Sequence, residues 1–234
     1  MRIVCHSGDF NNVWIELRHS IMQLAQVLGR FAKVVITDYA FGFPITGNFV
    51  GDVLFDVKCT RHLNDIIASY GGRPIMCKSG HSLVKQKMVE TGALLGGEYS
   101  GHIFFKERWF GFDDGLYSAA RLIEIMSTTN PDLDQLLEQF PNPRSTPELY
   151  LDVGDERKFD IVERFAAEAE FANAKVSNID GVRVDLPEGW GLLRASNTTP
   201  RLVLRFEAES DQALSSIKLL FQQQLQRFEP ELVI

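Results

Sequence analysis

Gly51-Asp52-Val53-Leu54-Phe55-Asp56-Val57-Lys58-Cys59-Thr60-Arg61 is the stretch from which the fold is read. Val53 to Val57 is a continuous apolar run interrupted by a single acid, the signature of a strand covered on both faces. Such strands belong to layered α/β sheets with helices on either side. The run ends in Lys58 and Arg61, and in open α/β sheets ligands gather at the carboxyl ends of strands. Two cations at that place suit a phosphate; they also suit two solvated residues that simply open a loop.

Downstream, the periodicity alternates. Residues 62–70 read as a short helix closed by Gly71-Gly72, and Arg73 to Cys77 as a second strand. Ser82 to Thr91 reads as a helix with Val84 and Met88 on one face and Gly92 as its stop. Ala93-Leu94-Leu95 and His102-Ile103-Phe104-Phe105 read as strands flanking a glycine-rich loop. Leu116, Ala119, Ala120 and Ile123 recur at helical spacing, with Asp113 or Asp114 as the cap. Asn130-Pro131-Asp132 caps a further helix with Leu133, Leu136, Leu137 and Phe140 as its stripe. This order predicts an α/β layered domain with a mixed sheet.

Pro141-Asn142-Pro143-Arg144-Ser145-Thr146-Pro147 is the best boundary in the chain. Beyond it the pattern becomes strand, helix, several strands, helix. Leu149 to Val153 reads as a strand, and Asp155 opens a helix with Phe159, Val162, Phe165 and Ala166 inside. Two strands meet at Asp180-Gly181, a tight-hairpin signal. Trp190 to Leu193 and Leu202 to Phe206 follow as strands, and Ser210 caps a last helix carrying Leu214, Ile217, Phe221 and Leu225. The expectation is a smaller α+β domain, an antiparallel sheet with helices on one face. The organisation expected is therefore an α/β domain over residues 51–143 and an α+β domain over residues 147–234. Residues 1–50 fit neither: Val34 to Thr37 reads as a short strand, Leu24, Val27 and Leu28 stand at helical spacing, and Gly42, Pro44 and Gly47 break the pattern.

Composition narrows the function classes. The chain has 234 residues and a formal net charge of −7, which excludes a general nucleic-acid or anionic-membrane surface. An anionic substrate is still admissible in a local basic pocket. The cysteines, Cys5, Cys59 and Cys77, are odd in number and lack metal-ligand spacing, which suits a reducing compartment. No apolar run is long enough to span a membrane, and the N-terminus lacks the apolar core of a secretory signal. A cytoplasmic protein is expected.

Four loops between these elements carry candidate chemistry. Gly96-Gly97-Glu98-Tyr99-Ser100-Gly101-His102 lies between two strands and offers an acceptor, a hydroxyl and a switchable ring. One carboxylate can accept from two neighbouring sugar hydroxyls; a plain hairpin loop with its polar groups in water fits the pattern equally. Arg194-Ala195-Ser196-Asn197-Thr198-Thr199-Pro200 combines a guanidinium fork with neutral donors, the makings of an anion nest. An ordinary turn beside a solvated arginine fits it slightly better. Lys58 to Arg61 has been described. Lys78-Ser79-Gly80-His81-Ser82 opens a helix, where anions are favoured and His81 can donate or exchange a proton; a surface cap with a bystander histidine is the common alternative. Asp113-Asp114 resembles a metal pair, which capping explains more cheaply, and Asp52 and Asp56 lack partners with ligand spacing. The aromatic run Phe104, Phe105, Trp109, Phe110 and Phe112 reads as core and packed loop.

Together and in this order, the loops resemble the α-D-phosphohexomutase superfamily, in particular its bacterial phosphomannomutase/phosphoglucomutase branch. Gly97 to His102 is similar to that family's sugar-specificity loop, GEMSGH, with Tyr99 in place of methionine. Arg194 to Pro200 is similar to its phosphate-binding loop, and Asp56 to Arg61, Lys78 to Ser82 and Phe104 to Gly115 match as well. The resemblance covers roughly residues 50–234, the family's third and fourth domains. It implies an isomerase that moves a phosphoryl group between positions 1 and 6 of mannose or glucose phosphates through a 1,6-bisphosphate. A phosphoserine of the first domain and Mg2+ held by aspartates of the second domain assist. By the same resemblance Glu98 and Ser100 bind sugar hydroxyls, Arg194, Ser196, Asn197 and Thr198 clamp the non-reacting phosphate, and Lys58, His81 and His102 line the reaction end.

The departures are specific. The family's serine loop, of the form TASHNP, and its metal loop, of the form DGDGDR, are absent from the sequence. Gly8-Asp9-Phe10 is the nearest fragment of the latter; an ungapped extension of the match puts Ile15 to Ile21 where the metal loop belongs. The expectation is hexose-phosphate recognition without turnover by this chain alone, and no protein-bound metal. A non-catalytic sugar-phosphate module, or a partner of a full-length mutase, is the alternative.

Overall fold

The computed structural model describes residues 51–129, 138 and 140–234. The readings made for residues 1–50, and for the helix opened by Asn130-Pro131-Asp132, lie outside the described residues; Phe140, expected in that helix's stripe, is buried.

The opening stretch is the centre of the first sheet. Strands β1 (Asp52–Asp56), β2 (Arg73–Cys77), β3 (Leu95–Gly97) and β4 (Ile103–Phe105) lie in the order β2-β1-β3-β4. β1 runs parallel to β2 and β3, and β4 is antiparallel to β3. Helices α1 (Leu63–Ser69) and α2 (His81–Thr91) make the parallel crossovers, and α3 (Gly115–Thr129) follows β4. Alternate residues of β1 enter different cores, as a strand with two covered faces requires. Val53 and Phe55 pack with Leu63, Ile67 and Leu122 of α1 and α3. Leu54 packs with Val84 and Met88 of α2. Gly92 ends α2 in the left-handed conformation, its N–H reaching Met88 O.

Strands β5 (Arg144–Ser145), β6 (Leu149–Asp152), β7 (Lys175–Ser177), β8 (Val182–Leu186), β9 (Gly189–Ala195) and β10 (Arg201–Ala208) form a second, wholly antiparallel sheet, with β6 also paired to β10. Helices α4 (Arg157–Glu168) and α5 (Asp211–Gln226) cover one face, through Ile161, Phe165, Ile217, Phe221 and Leu225. Ser210 caps α5, its hydroxyl accepting from Ala213 N at 3.1 Å. The other face meets the end of β1: Val57 packs on Trp190 and Leu192.

Several local readings shift. Gly96 and Gly97 lie inside β3 rather than in a loop. A Cβ on Gly96 would stand 3.1 Å from both the Met88 and Val84 side chains, so this glycine lets α2 pack on the sheet. In α3 the residues at helical spacing are on the wrong face, with Leu116 and Ile123 exposed and Ser118, Arg121 and Leu122 buried. Arg121 sets that phase by pairing with Glu107 and Glu124 and standing over the Phe105 ring. In α4, Phe159 is exposed and Ile161 takes the interior position. The hairpin turn spans residues 178–181; the two-residue turn is Pro187-Glu188, between the paired Leu186 and Gly189.

Candidate functional site

The residues expected to bind sugar phosphate approach one another where the first sheet's strand ends face the second sheet. Lys58 leaves β1 into a buried environment. Its ammonium lies 3.0 Å from Glu148 Oε1 and 3.8 Å from Asp56 Oδ2. Burial opposes the Lys58 charge, but Asp56 and Glu148 outweigh it and hold its pKa above the usual lysine value. Glu148, itself desolvated, is held below the usual carboxylate range by Lys58 and by the Tyr150 hydroxyl. The thiols beside this strand are unreactive in character. Burial pushes Cys77 up to about 12, and Cys59 is pushed well up while it donates to Asp56 Oδ1.

The next loop turns on Gly80, whose φ of +131° favours glycine. Its N–H donates to Glu98 Oε1 at 2.6 Å, and the Ser79 hydroxyl lies 3.5 Å from the same oxygen. Glu98 is almost wholly buried, and its Oε2 has no hydrogen-bond partner among the described residues. Burial raises its pKa, against the Gly80 N–H and the nearby His102 and Lys58. Residues 98–102 close by a bond from Gly101 N to Glu98 O, with Gly101 at φ +91°. Ser100 stands exposed at the tip. His81, the first residue of α2, and His102 lie with ring centroids 6.0 Å apart. His102 Nδ1 is 2.6 Å from Asp113 Oδ2, whereas Asp114 caps α3 by accepting from Tyr117 N.

Across the gap, Arg194 lies within β9, so strand alternation fixes its direction. It shares a face with Trp190 and Leu192, toward the first sheet, and it is buried. Asp180 takes its Nε at 3.1 Å and its Nη2 at 3.3 Å. The following loop is braced from within: the Ser196 hydroxyl accepts from Thr198 N, Thr199 N and the Thr199 hydroxyl. Buried Lys158 donates to Thr199 O while paired with Asp155. Asn197 and Thr198 are exposed at its tip. Arg194 is near enough to influence the charges of both Lys58 and Glu148. The two basic groups therefore lie close together among the acids Asp56, Glu148 and Asp180.

A family model for "Phosphoglucomutase/phosphomannomutase, alpha/beta/alpha domain III" matches residues 35–143, and one for the C-terminal domain of the same family matches residues 148–222. The chain belongs to the phosphohexomutase family. The first match begins upstream of residue 50, where the loop resemblance begins. The chain is 59% identical over 181 residues to a phosphomannomutase/phosphoglucomutase of Pseudomonas putida, covering 77% of this chain and 39% of that protein. A phosphoglucomutase of Neisseria gonorrhoeae is 52% identical over 172 residues, 72% of this chain and 37% of that protein. A crystal structure of a phosphoglucomutase/phosphomannomutase family protein from Burkholderia thailandensis superposes with a TM-score of 0.77 at 46% identity, covering 86% of this chain and 42% of that one. The chain thus spans about two fifths of the length of these relatives.

For a mutase-family chain, the expected residues fall into two groups. Lys58, Glu98, His81, His102 and Arg194 meet within one network of bonds and charges, whereas Ser196 braces its own loop. Ser100, Asn197 and Thr198 remain exposed loop tips. Sequence reasoning missed the acids that hold Arg194 and Lys58, namely Asp180 and Glu148, while Asp113, weighed as a cap or metal pair, meets His102 instead. Only the conspicuous Asp180-Gly181 pair carried a signal, and it was read as a turn. Among the described residues no group of three or more His, Cys, Asp or Glu could hold a metal ion. No helix among them is long and apolar enough to cross a membrane.

Proposed function

We propose that this chain is the hexose-phosphate-recognising part of a phosphomannomutase/phosphoglucomutase, an isomerase of hexose 1- and 6-phosphates. In this reading residues 51–143 form the sugar-recognition domain and residues 147–234 the phosphate-binding domain. Arg194 and the loop braced by Ser196 take the non-reacting phosphate, with Asn197 and Thr198 at its rim. Glu98 and Ser100 take sugar hydroxyls, and Lys58, His81 and His102 face the reacting end. The observation that carries the reading is the meeting of Arg194, Lys58 and Glu98. Arg194 influences the charge of Lys58, Lys58 influences that of Glu98, and the Glu98 Oε2 is buried and without a partner among the described residues. A phosphate can accept from the Nη1 that Asp180 leaves to Arg194, and a hydroxyl satisfies the carboxylate.

The proposal is recognition, not turnover. Phosphoryl transfer by this family needs a serine donor loop that the sequence lacks. Calorimetric titration of the chain with glucose 1,6-bisphosphate tests it. Binding is expected, and Arg194→Ala should weaken it at least about tenfold, the loss of a charge-assisted contact. No heat with the unaltered chain sinks the reading. Conversion of mannose 1-phosphate to mannose 6-phosphate by the pure chain would refute the claim of recognition alone.

A further inference from the structure

We propose that Asp180, at the tip of the β7–β8 hairpin, is a positioning residue that couples phosphate capture at Arg194 to sugar recognition at Glu98. The proposal rests on the hexose-phosphate reading above. Its basis is a continuous path of short contacts across the gap between the two sheets. Asp180 Oδ2 accepts from Arg194 Nε at 3.1 Å and, from the other side, from the backbone N–H of Ser79 at 3.0 Å. The next N–H along, that of Gly80, goes to Glu98 Oε1 at 2.6 Å. Successive amides of one turn therefore carry two carboxylates, one from each sheet. Gly80, at φ +131°, adopts a backbone that side chains other than glycine's rarely accept.

The grip on Arg194 is side-on. Nε and Nη2 meet the carboxylate, and Nη1 has no partner among the described residues. A guanidinium held this way has its plane fixed yet keeps donors for a second anion. A mere strut between the sheets would need the Ser79 bond and not the paired contact with Arg194. The hairpin tip is also bound to the arginine's own strand. A Cβ on Gly181 would lie 2.3 Å from Leu193 O and 2.5 Å from Arg194 Cβ. Tip and arginine consequently move as one body. When a phosphate draws Arg194, Asp180 follows, the Ser79-Gly80 turn shifts, and Glu98 is re-aimed. Its Oε2, buried and unpartnered, is the acceptor that this motion would present to a sugar hydroxyl.

The test is a titration of the full 15N-labelled chain with glucose 1,6-bisphosphate, read at backbone amides. In the unaltered chain the amides of Thr198 and Thr199 should shift together with those of Ser79 and Gly80. In Asp180→Asn the affinity should fall about tenfold, as a mis-set guanidinium loses its paired geometry. The Ser79 and Gly80 shifts at saturation should shrink to the part that direct contact at Glu98 and His81 gives, while those of Thr198 and Thr199 persist in full. A structural strut alone would not split the two sets of amides. Unchanged or tighter binding by Asp180→Asn, or Ser79 and Gly80 shifts of undiminished size at saturation, overturns the proposal. If the unaltered chain binds no bisphosphate, the hexose-phosphate reading fails separately, and the coupling is then read without ligand. Arg194→Lys should move the Gly80 amide when Asp180 is present and leave it in place in the double variant with Asp180→Asn. Should Asp180→Asn not fold, Arg194→Lys alone decides, since an unmoved Gly80 amide overturns the path.

Discussion

Arg183, Arg194 and Arg205 stand on one face of one sheet, on the neighbouring strands β8, β9 and β10, and all three are buried. Their partners divide the molecule into a closed seam and an open mouth. Arg183 donates to Val57 O and Cys59 O at 2.7 and 2.9 Å and lies 4.0 Å over the Trp190 ring. Arg205 donates to Lys58 O and lies 3.9 Å over the Tyr99 ring. Glu207 completes the seam by accepting from the Thr60 hydroxyl, Arg61 N and Trp190 Nε1. Together these groups seat the end of β1 on the second sheet. Arg194 meets only a carboxylate, from the side, and keeps Nη1 open among the described residues. Arg183 has its donors taken by two carbonyls and Asp185, and Arg205 is shut between the Tyr99 and Trp190 rings with its Nε buried, so neither presents donors to a ligand. Arg194, oriented by a carboxylate alone, does.

The largest expected effect is at the seam. Arg183→Ala should cost about 3–5 kcal/mol in urea unfolding, because it strands buried carbonyls and leaves Asp185 without its cation. Arg194→Ala should cost less, about 1–3 kcal/mol, since Asp180 keeps the Ser79 N–H. Equal losses would erase the distinction between seam and mouth. Next in size is Gly181→Ala. At φ +77° and with its new methyl group pressed on Leu193 O, it should lower stability by about 2 kcal/mol and carry the Arg194 contact with it. A thermal midpoint matching the unaltered chain would detach the hairpin tip from the mouth.

The smallest effect is one of pH. Burial raises the Glu98 pKa, so the folded chain holds this proton more tightly than the unfolded one. The associated stability is fully present below the ordinary carboxylate pKa and is lost as pH rises through the raised value. Glu98→Gln should therefore gain on the unaltered chain as pH climbs through that window, in denaturation curves taken at a series of pH values. A gap that narrows with rising pH would mean that the Gly80 N–H, not burial, governs the group.

Much of the fold was legible because it rests on local chemistry. The covered strand at Val53 to Val57, the Gly92 stop, the Ser210 cap and the stripe of α5 each follow from backbone needs or from a period. The loops of the site were legible as loops, except that Gly96, Gly97, Arg194 and Ala195 belong to the strands beside them, and the order of the loops carried the family. What stayed hidden were choices among equals. The period of α3 was visible, but its buried face was settled by Arg121 reaching Glu107 and Glu124. Phe159 and Ile161 both fit the interior of α4, and packing took Ile161.

By itself, then, the sequence determined the alternation of elements, the proline-marked change from parallel to antiparallel construction, and which residue types stand at strand ends. Those features follow from torsional preference and from the spacing of apolar side chains, which neighbours in the chain decide. Tertiary structure alone decided which of three buried arginines remains open to a ligand and which acids hold the cations. It also decided that a glycine turn at 79–80 joins Asp180 to Glu98. Those pairings link residues far apart in sequence, so no local pattern encodes them. They exist only where two sheets bring their faces within hydrogen-bond distance.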